Sequence, residues 1–243
     1  MWTQQQLVDD LTDIGLPAGS AVLVHASLNA VGPMEGGTET LVAAFREVLG
    51  AAGTLLVPAF GTDGFAESVC RQPDAMRSER PILAFVALGA DAEALTSRVP
   101  FHYPLGSEGP LARLHQRNGW ILLIGAGHTR NASLHLAEIW ANVPYVHRTA
   151  LVKTAGGAET AMMGSPDCSA GFAKIEPLLR QSRILRRGYI GNAESQLMRQ
   201  QQTVSMAAAM LQGSPSALLC EAESCRACTA ARRMTGEQVV EPI

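Results

Sequence analysis

The 243-residue chain contains no run of about 18 consecutive apolar residues, which excludes a membrane-spanning helix of ordinary length. Its opening, MWTQQQLVDDLTDIGL, carries three acids and no apolar stretch long enough for a secretory signal. Positive charge is also scarce. Lys and Arg total 19 against 22 Asp and Glu, a formal net charge of -3, which leaves no basic footprint for a nucleic-acid backbone. No serine stands in a GxSxG elbow and no Cys–His pairing is readable from spacing, so nucleophilic catalysis is not indicated. HExxH, a GK[ST]-ended phosphate loop and GxGxxG are absent as well. A cytoplasmic protein is the expectation. Its five cysteines (Cys70, Cys168, Cys220, Cys225 and Cys228) are then expected as thiols or metal ligands rather than disulfides.

What is present reads as strands alternating with helices. Leu7, Leu11 and Ile14 lie at helical spacing and the pattern stops at Gly15, as in a short amphipathic helix. SAVLVHASL (20–28) is a strand with a continuous apolar core. After the glycine-rich VGPMEGG comes TETLVAAFREVLG (38–50), a helix with Thr38 as N-cap and Gly50 as stop. GTLLVPAF (53–60) is a second buried-type strand, broken by Pro58, and completes a βαβ-like unit. Residues 82–97 read as helical or mixed, WILLIGAG (120–127) as a strand and SLHLAEIWANV (133–143) as a helix. ALVKTAGGAETAMMG (150–164) reads as a hairpin turning at Gly156-Gly157, and 188–213 ends in a long helix. No repeat or low-complexity linker interrupts the chain. One domain over 1–243 is expected, with a small cysteine-rich element at 218–233.

Three stretches carry chemistry. VHASLNAVGPMEGG (24–37) leaves a strand through small residues and ends in Gly36-Gly37 before a helix. Exposed N–H groups and the helix terminus there suit a pyrophosphate, although a plain strand-to-helix turn has the same composition. In NASLHLAEIW (131–140), His135 and Glu138 are i and i+3, so both project from one helical face. A carboxylate beside an imidazole fixes its tautomer and raises its basicity, as a general base requires; the alternative is a structural His–Glu contact. Gly125-Ala126-Gly127 invites a dinucleotide reading, but Arg130 stands where the third glycine is needed. Finally, Cys225-Arg-Ala-Cys228 has the spacing of a metal or redox knuckle, with Cys220 nearby. Cys168 is the candidate fourth thiolate for a structural zinc, provided the fold brings it close; otherwise these are reduced, inert thiols. His102, His115, His128 and His147 receive no role.

Taken in order, these segments resemble the aminoglycoside 3-N-acetyltransferase family. LVHASLNAVGPMEGG is similar to its VHSSL…G…GG coenzyme loop, GAAGTLLVPAF to its G..GTLvmP strand and MRSERP to its RSxHP. PLGSEGPLARL is similar to its FG..SPL, GHTRNASLHLAE to its NTSLHLAE and GYIGNAESQLM to its late G.iGnA..rl. The resemblance implies an α/β fold with a central mixed sheet flanked by helices. It implies direct acetyl transfer from acetyl-CoA to an amine in a ternary complex, without an acyl-enzyme. His135 would take the amine proton and Glu138 would orient it. Ser27, Leu28, Gly32, Met34 and Gly37 match the coenzyme loop, and His25 and Ser78 lie in motifs lining the same channel.

The sequence departs from that pattern at several points. Arg80 stands for the histidine of RSxHP, Ala84 for a serine that commonly follows, Gly109 for the serine of SPL and Ala132 for the threonine of NTSLHLAE. Only 18 residues separate Pro58 from Arg77, where family members carry a longer insertion beside the aminoglycoside. That pocket is normally acidic because its substrates are polycations; here the segment offers Asp63, Glu67 and Asp74 against Arg71. An aminoglycoside is therefore the default acceptor. Another amine metabolite, or a non-catalytic coenzyme A-binding or zinc-bearing scaffold, is the alternative.

Overall fold

The computed structural model describes residues 1–60, 64–147, 149–162, 164 and 168–236. Among these, seven strands form one mixed sheet: β1 (Ala21–Ala26), β2 (Thr54–Ala59), β3 (Met76–Arg77), β4 (Ala84–Gly89), β5 (Trp120–Ile124), β8 (Arg186–Ile190) and β9 (Ala193–Arg199). The spatial order is β3-β4-β2-β1-β5-β9-β8. Strand β1 runs parallel to both β2 and β5, and the flanking pairs are antiparallel. The remaining strands, β6 (Thr149–Thr154) and β7 (Gly157–Met162), form a separate hairpin.

The central strands read as unbroken apolar runs because both of their faces are covered. Val22 and Val24 of β1 enter one core with Leu55 and Val57 of β2; Leu23 and Leu56 enter the other. The first core is closed by α1 (Gln4–Asp13), α3 (Thr38–Leu49) and α4 (Gly64–Cys70), through Leu7, Leu11, Leu41, Phe45 and Phe65. The second lies under α5 (Ala92–Thr96), α6 (Pro110–Gln116), α7 (Ser133–Trp140), α9 (Gln200–Gly213) and α10 (Arg226–Met234). Short α2 (Leu28–Val31) follows β1, and α8 (Glu176–Gln181) precedes β8. None of the described helices is long and apolar enough to cross a membrane.

The structure corrects four local expectations. Residues 82–97 are strand β4 followed by short α5, not mainly helix: Phe85 and Ala87 face one core while Val86 and Leu88 face the other. The N-cap of α3 is Gly37, at φ +66, with Thr38 the first helical residue. Pro58 does not break β2; it stays in register with Phe85, beyond the last β1–β2 pair, Leu23↔Leu56. In the β6–β7 hairpin Thr154 pairs with Gly157, so the turn residues are Ala155 and Gly156.

Candidate active site

The parallel pairing of β1 and β5 places Ala26 opposite Ile124, so both strands end at one edge of the sheet. Ligand crevices of open α/β sheets form at such carboxyl ends, where the strand order turns in opposite directions. The chain leaving β1 is tied to the chain leaving β5 by a bond from the Ser27 N–H to the Ile124 carbonyl, 2.8 Å. Gly125 then turns at φ +57, and a Cβ on it would stand 2.3 Å from that of Ala30 in α2. Only glycine permits this approach. The loop after β1 and the loop into α7 therefore touch.

Helix α7 starts with its amides already engaged. Asn131 Oδ1 accepts the Ser133 N–H at 3.1 Å, and His25 Nε2 accepts the Ala132 N–H at 3.2 Å. His25 projects from β1 on the Leu23 side, as strand alternation requires. Acceptance at Nε2 needs a neutral ring. Burial, then Arg130 and His135, push the His25 pKa down to about 3. One turn on, His135 Nδ1 lies 2.7 Å from Glu138 Oε2. An ionised carboxylate only accepts, so Nδ1–H donates and the lone pair sits on Nε2. Glu138 is fully buried, whereas His135 keeps 13% of its side chain exposed. Burial raises the Glu138 pKa, and the His135 bond opposes that shift. The Phe172 ring packs against the imidazole at 4.8 Å, and the Tyr145 hydroxyl stands beside Glu138.

The glycine loop takes a defined shape. Ser27 is the N-cap of α2 without a side-chain cap bond, and Leu28 is its first residue, close to Gly64. Gly32 has φ +90, and a Cβ there would meet Asn192 Nδ2 at 2.6 Å. Met34 is buried and bridges to Trp2. Two loop amides are already used: Gly36 N–H donates to Thr40 Oγ1 at 2.9 Å and Gly37 N–H to Met34 O at 3.1 Å. The space above Gly37, at the start of α3, is open. Ser78 is buried, its hydroxyl accepting the Phe85 N–H at 2.9 Å and its own N–H donating to the Phe85 carbonyl. Its described contacts close the β3–β4 turn.

The four C-terminal-side thiols converge. Cys168, Cys220, Cys225 and Cys228 place their sulfurs within 4.8 Å of one another, while Cys70 stands exposed elsewhere. Asp63 lies outside the described residues. Of the other charges between Pro58 and Arg77, Asp74 pairs with Arg46 and Arg71 with Glu39, both on α3, and Glu67 is exposed.

A family model described as aminoglycoside 3-N-acetyltransferase matches residues 23–64 and 62–212. Aminoglycoside N(3)-acetyltransferase IV from Salmonella sp is 32% identical over 236 residues, covering 88% of this chain and 89% of its own. The chain belongs to the aminoglycoside 3-N-acetyltransferase family. It is an acyltransferase of that class. The solved apoenzyme of aminoglycoside acetyltransferase AAC(3)-IVa superposes with a TM-score of 0.87 at 32% identity, covering 96% of this chain and 97% of that one. AAC-IIIb solved as a binary complex with CoASH gives 0.78 at 27% identity, with 87% and 97% covered.

Two of the departures from the family's motifs, Gly109 and Arg80, have structural explanations here. At Gly109, the N-cap of α6, a Cβ would stand 2.2 Å from the Pro104 carbonyl, so this turn has closed onto the place a serine would need. Arg80 is buried, donates from Nη2 to the Phe101 carbonyl at 2.8 Å and lies over the Phe101 ring at 4.9 Å. Ala132 keeps the backbone bond to His25.

Sequence reading missed several supporting groups. His128 is buried against Asn131, with its pKa pushed down by burial; the Asn131 side chain accepts the Ser133 N–H at the start of α7; Tyr145 and Phe172 lie beside the dyad. Only Asn131 had a local signal, as a capping-type residue just ahead of Ser133.

Proposed function

We propose that this enzyme transfers the acetyl group of acetyl-CoA directly to an amine of an aminoglycoside, at the 3-N position of the 2-deoxystreptamine ring. The observation that carries the reading is the 2.7 Å His135–Glu138 bond, with the carboxylate fully buried and 13% of the imidazole side chain exposed. His135 Nε2 accepts the amine proton as nitrogen attacks the thioester carbonyl carbon. The carbon–sulfur bond then breaks, and the proton held by the imidazole passes to the departing thiolate. Glu138 stabilises the transient imidazolium, and neutral His25 adds no charge against it. Holding both reactants in one ternary complex lowers the entropic barrier, so no acyl-enzyme is needed.

For the coenzyme, the loop from Ser27 to Gly37 ends at the N-terminus of α3, where the helix dipole favours the pyrophosphate. Since Gly36 and Gly37 use their amides internally, the first-turn amides of Thr38 and Glu39 are the donors we assign to it. Acetyl-CoA as donor is supported by the CoASH complex of AAC-IIIb. An aminoglycoside acceptor is supported by the AAC(3)-IVa variant solved with a gentamicin, TM-score 0.86 at 31% identity. A cytoplasmic setting goes with this chemistry, since the thiols stay reduced there.

A second acceptor class, a less cationic amine metabolite, is favoured by the short segment between Pro58 and Arg77. Asp74, one of its acids, is already neutralised by Arg46. The deciding experiment is thiol release from acetyl-CoA, screened over 2-deoxystreptamine aminoglycosides and simple amines, with His135→Ala alongside. Release with an aminoglycoside that vanishes in the variant supports the reading. Release with other amines only moves the substrate, and release undiminished in the variant removes His135 as the base.

A further inference from the structure

Four thiols meet from three separated parts of the chain. Cys168 precedes the 3-10 turn at Ala170–Ile175, Cys220 follows the turns after α9, and Cys225 and Cys228 begin α10. Their sulfurs all lie within 4.8 Å of one another. A tetrahedral zinc thiolate with Zn–S near 2.3 Å has sulfur–sulfur edges of about 3.8 Å. The Cys168–Cys220 separation is 3.8 Å, far longer than a disulfide bond of about 2.05 Å.

The surroundings suit thiolates. The Cys220 N–H points at Cys228 Sγ, 3.4 Å, and α10 aims its N-terminus into the group, with Cys225 as its N-cap. The Cys220 carbonyl is held by Arg232 at 2.5 Å and the Leu219 carbonyl by Lys174 at 2.9 Å, so the cysteine-bearing loop is fixed independently of the sulfurs. Gly171 allows the close packing of the two strands of chain, since a Cβ there would stand 2.3 Å from the Leu218 carbonyl.

We infer that Cys168, Cys220, Cys225 and Cys228 bind one structural zinc ion, and that this knuckle braces His135 and Glu138 from behind. Four thiols leave no open coordination position, so the ion does no chemistry of its own. Binding exchanges four thiol protons for one Zn2+, giving a tetrathiolate of charge -2 and releasing four protons to solvent.

Three contacts carry the brace to the dyad. Phe172, four residues past Cys168, packs on the His135 ring at 4.8 Å. Ser169, next to Cys168, donates to the Thr129 carbonyl at 2.6 Å in the loop leading to α7. Tyr145, whose hydroxyl feels both Glu138 and Cys228, donates to the Pro215 carbonyl at 3.0 Å, on the segment that ends in Cys220. The bracing role rests on the assignment of His135 and Glu138 as the catalytic pair; the zinc site does not.

The first test is elemental analysis of purified protein, with zinc release followed colorimetrically as thiols are titrated by a mercurial. One zinc per chain, freed as four thiols react, is expected. Replacing zinc with cobalt should produce the intense visible ligand-field absorption of a tetrahedral thiolate site. Metal-free protein of full thermal stability with four freely titrating thiols overturns the site, as does stoichiometric iron. If Cys225→Ser fails to fold, wild-type protein stripped by a strong chelator replaces it. In the stripped or Cys225→Ser protein, kcat should fall about tenfold or more with KM for acetyl-CoA changed only a few-fold. Readded zinc should restore the stripped form. Unchanged kcat in zinc-free protein that still acetylates would overturn the brace while leaving the acetyl-transfer assignment intact.

Discussion

His25 Nε2 accepts the backbone N–H of Ala132 at 3.2 Å, joining the end of a central strand to the first turn of the helix that bears His135. The bond exists only for a neutral His25. Its pKa falls from 6.5 to about 3, chiefly through burial. The unfolded chain therefore takes up a proton below pH 6.5 that the folded chain refuses. Stability from this group is complete above pH 6.5 and is lost as pH falls toward 3, at about 1.4 kcal/mol per pH unit. Urea unfolding at pH 7, 6 and 5 should show a shallower decline for His25→Asn than for wild type. Parallel declines would mean that His25 titrates normally.

His135→Ala should lower kcat by about 10²- to 10⁴-fold, the usual range for loss of a general base. Coenzyme A affinity measured by calorimetry should remain within a few-fold, because the loop from Ser27 to Gly37 does not depend on that side chain.

Glu138, assigned to the catalytic pair by the proposed mechanism, is buried at a cost to stability. Its pKa is raised by burial, so ionising the carboxyl costs more in the folded than in the unfolded chain, and that penalty grows as pH rises from 4.5 through the folded value. Glu138→Gln, neutral at every pH, should melt at or above the wild-type temperature at pH 8. Its kcat should drop about a hundredfold for want of charge beside the imidazolium. A lower melting temperature at pH 8 would contradict the sign.

Restoring the family's serine at position 109 should harm this protein. The new Cβ meets the Pro104 carbonyl at 2.2 Å, and moving backbone to make room costs about 1–3 kcal/mol. Thermal melts of Gly109→Ser should show the loss.

Gly125→Ala tests the junction of the two loops. It combines φ +57 with a 2.3 Å clash against Ala30, so the loop from Ser27 to Gly37, proposed to hold the coenzyme, must retreat. KM for acetyl-CoA should rise by more than stability loss alone accounts for, read at a temperature well below the melt.

Much of the frame was legible from local signals. Strand β1, helix α3 and strand β2 announce themselves by apolar runs, the helix stopping at Gly50, and the His135–Glu138 pair by its i, i+3 spacing. Residues 84–88 misled because an apolar run buried on both faces has no period to distinguish strand from helix. The α3 cap was misplaced by one residue because Gly37, at φ +66, carries no side chain that would mark it as a cap. The cysteine spacing showed two of the four thiols as a pair; Cys168 joins them only through the fold. The His25–Ala132 bond spans 107 residues and leaves no trace in either local sequence. Tyr145 and Phe172 likewise matter only for what stands beside them.

The bond from Ser27 to Ile124 makes adjacent strand ends behave as one jig. On the proposed mechanism the acyl donor and the base are fixed to the same two rails, whose spacing is set by the β1–β5 ladder. On the same proposal the nucleophile's seat is hung from other parts of the chain, and the resemblance to the family assigns the segment between Pro58 and Arg77 to it. Exchange of that seat leaves the distance between thioester and imidazole untouched. A chain of this design can trade one amine for another without relearning the reaction.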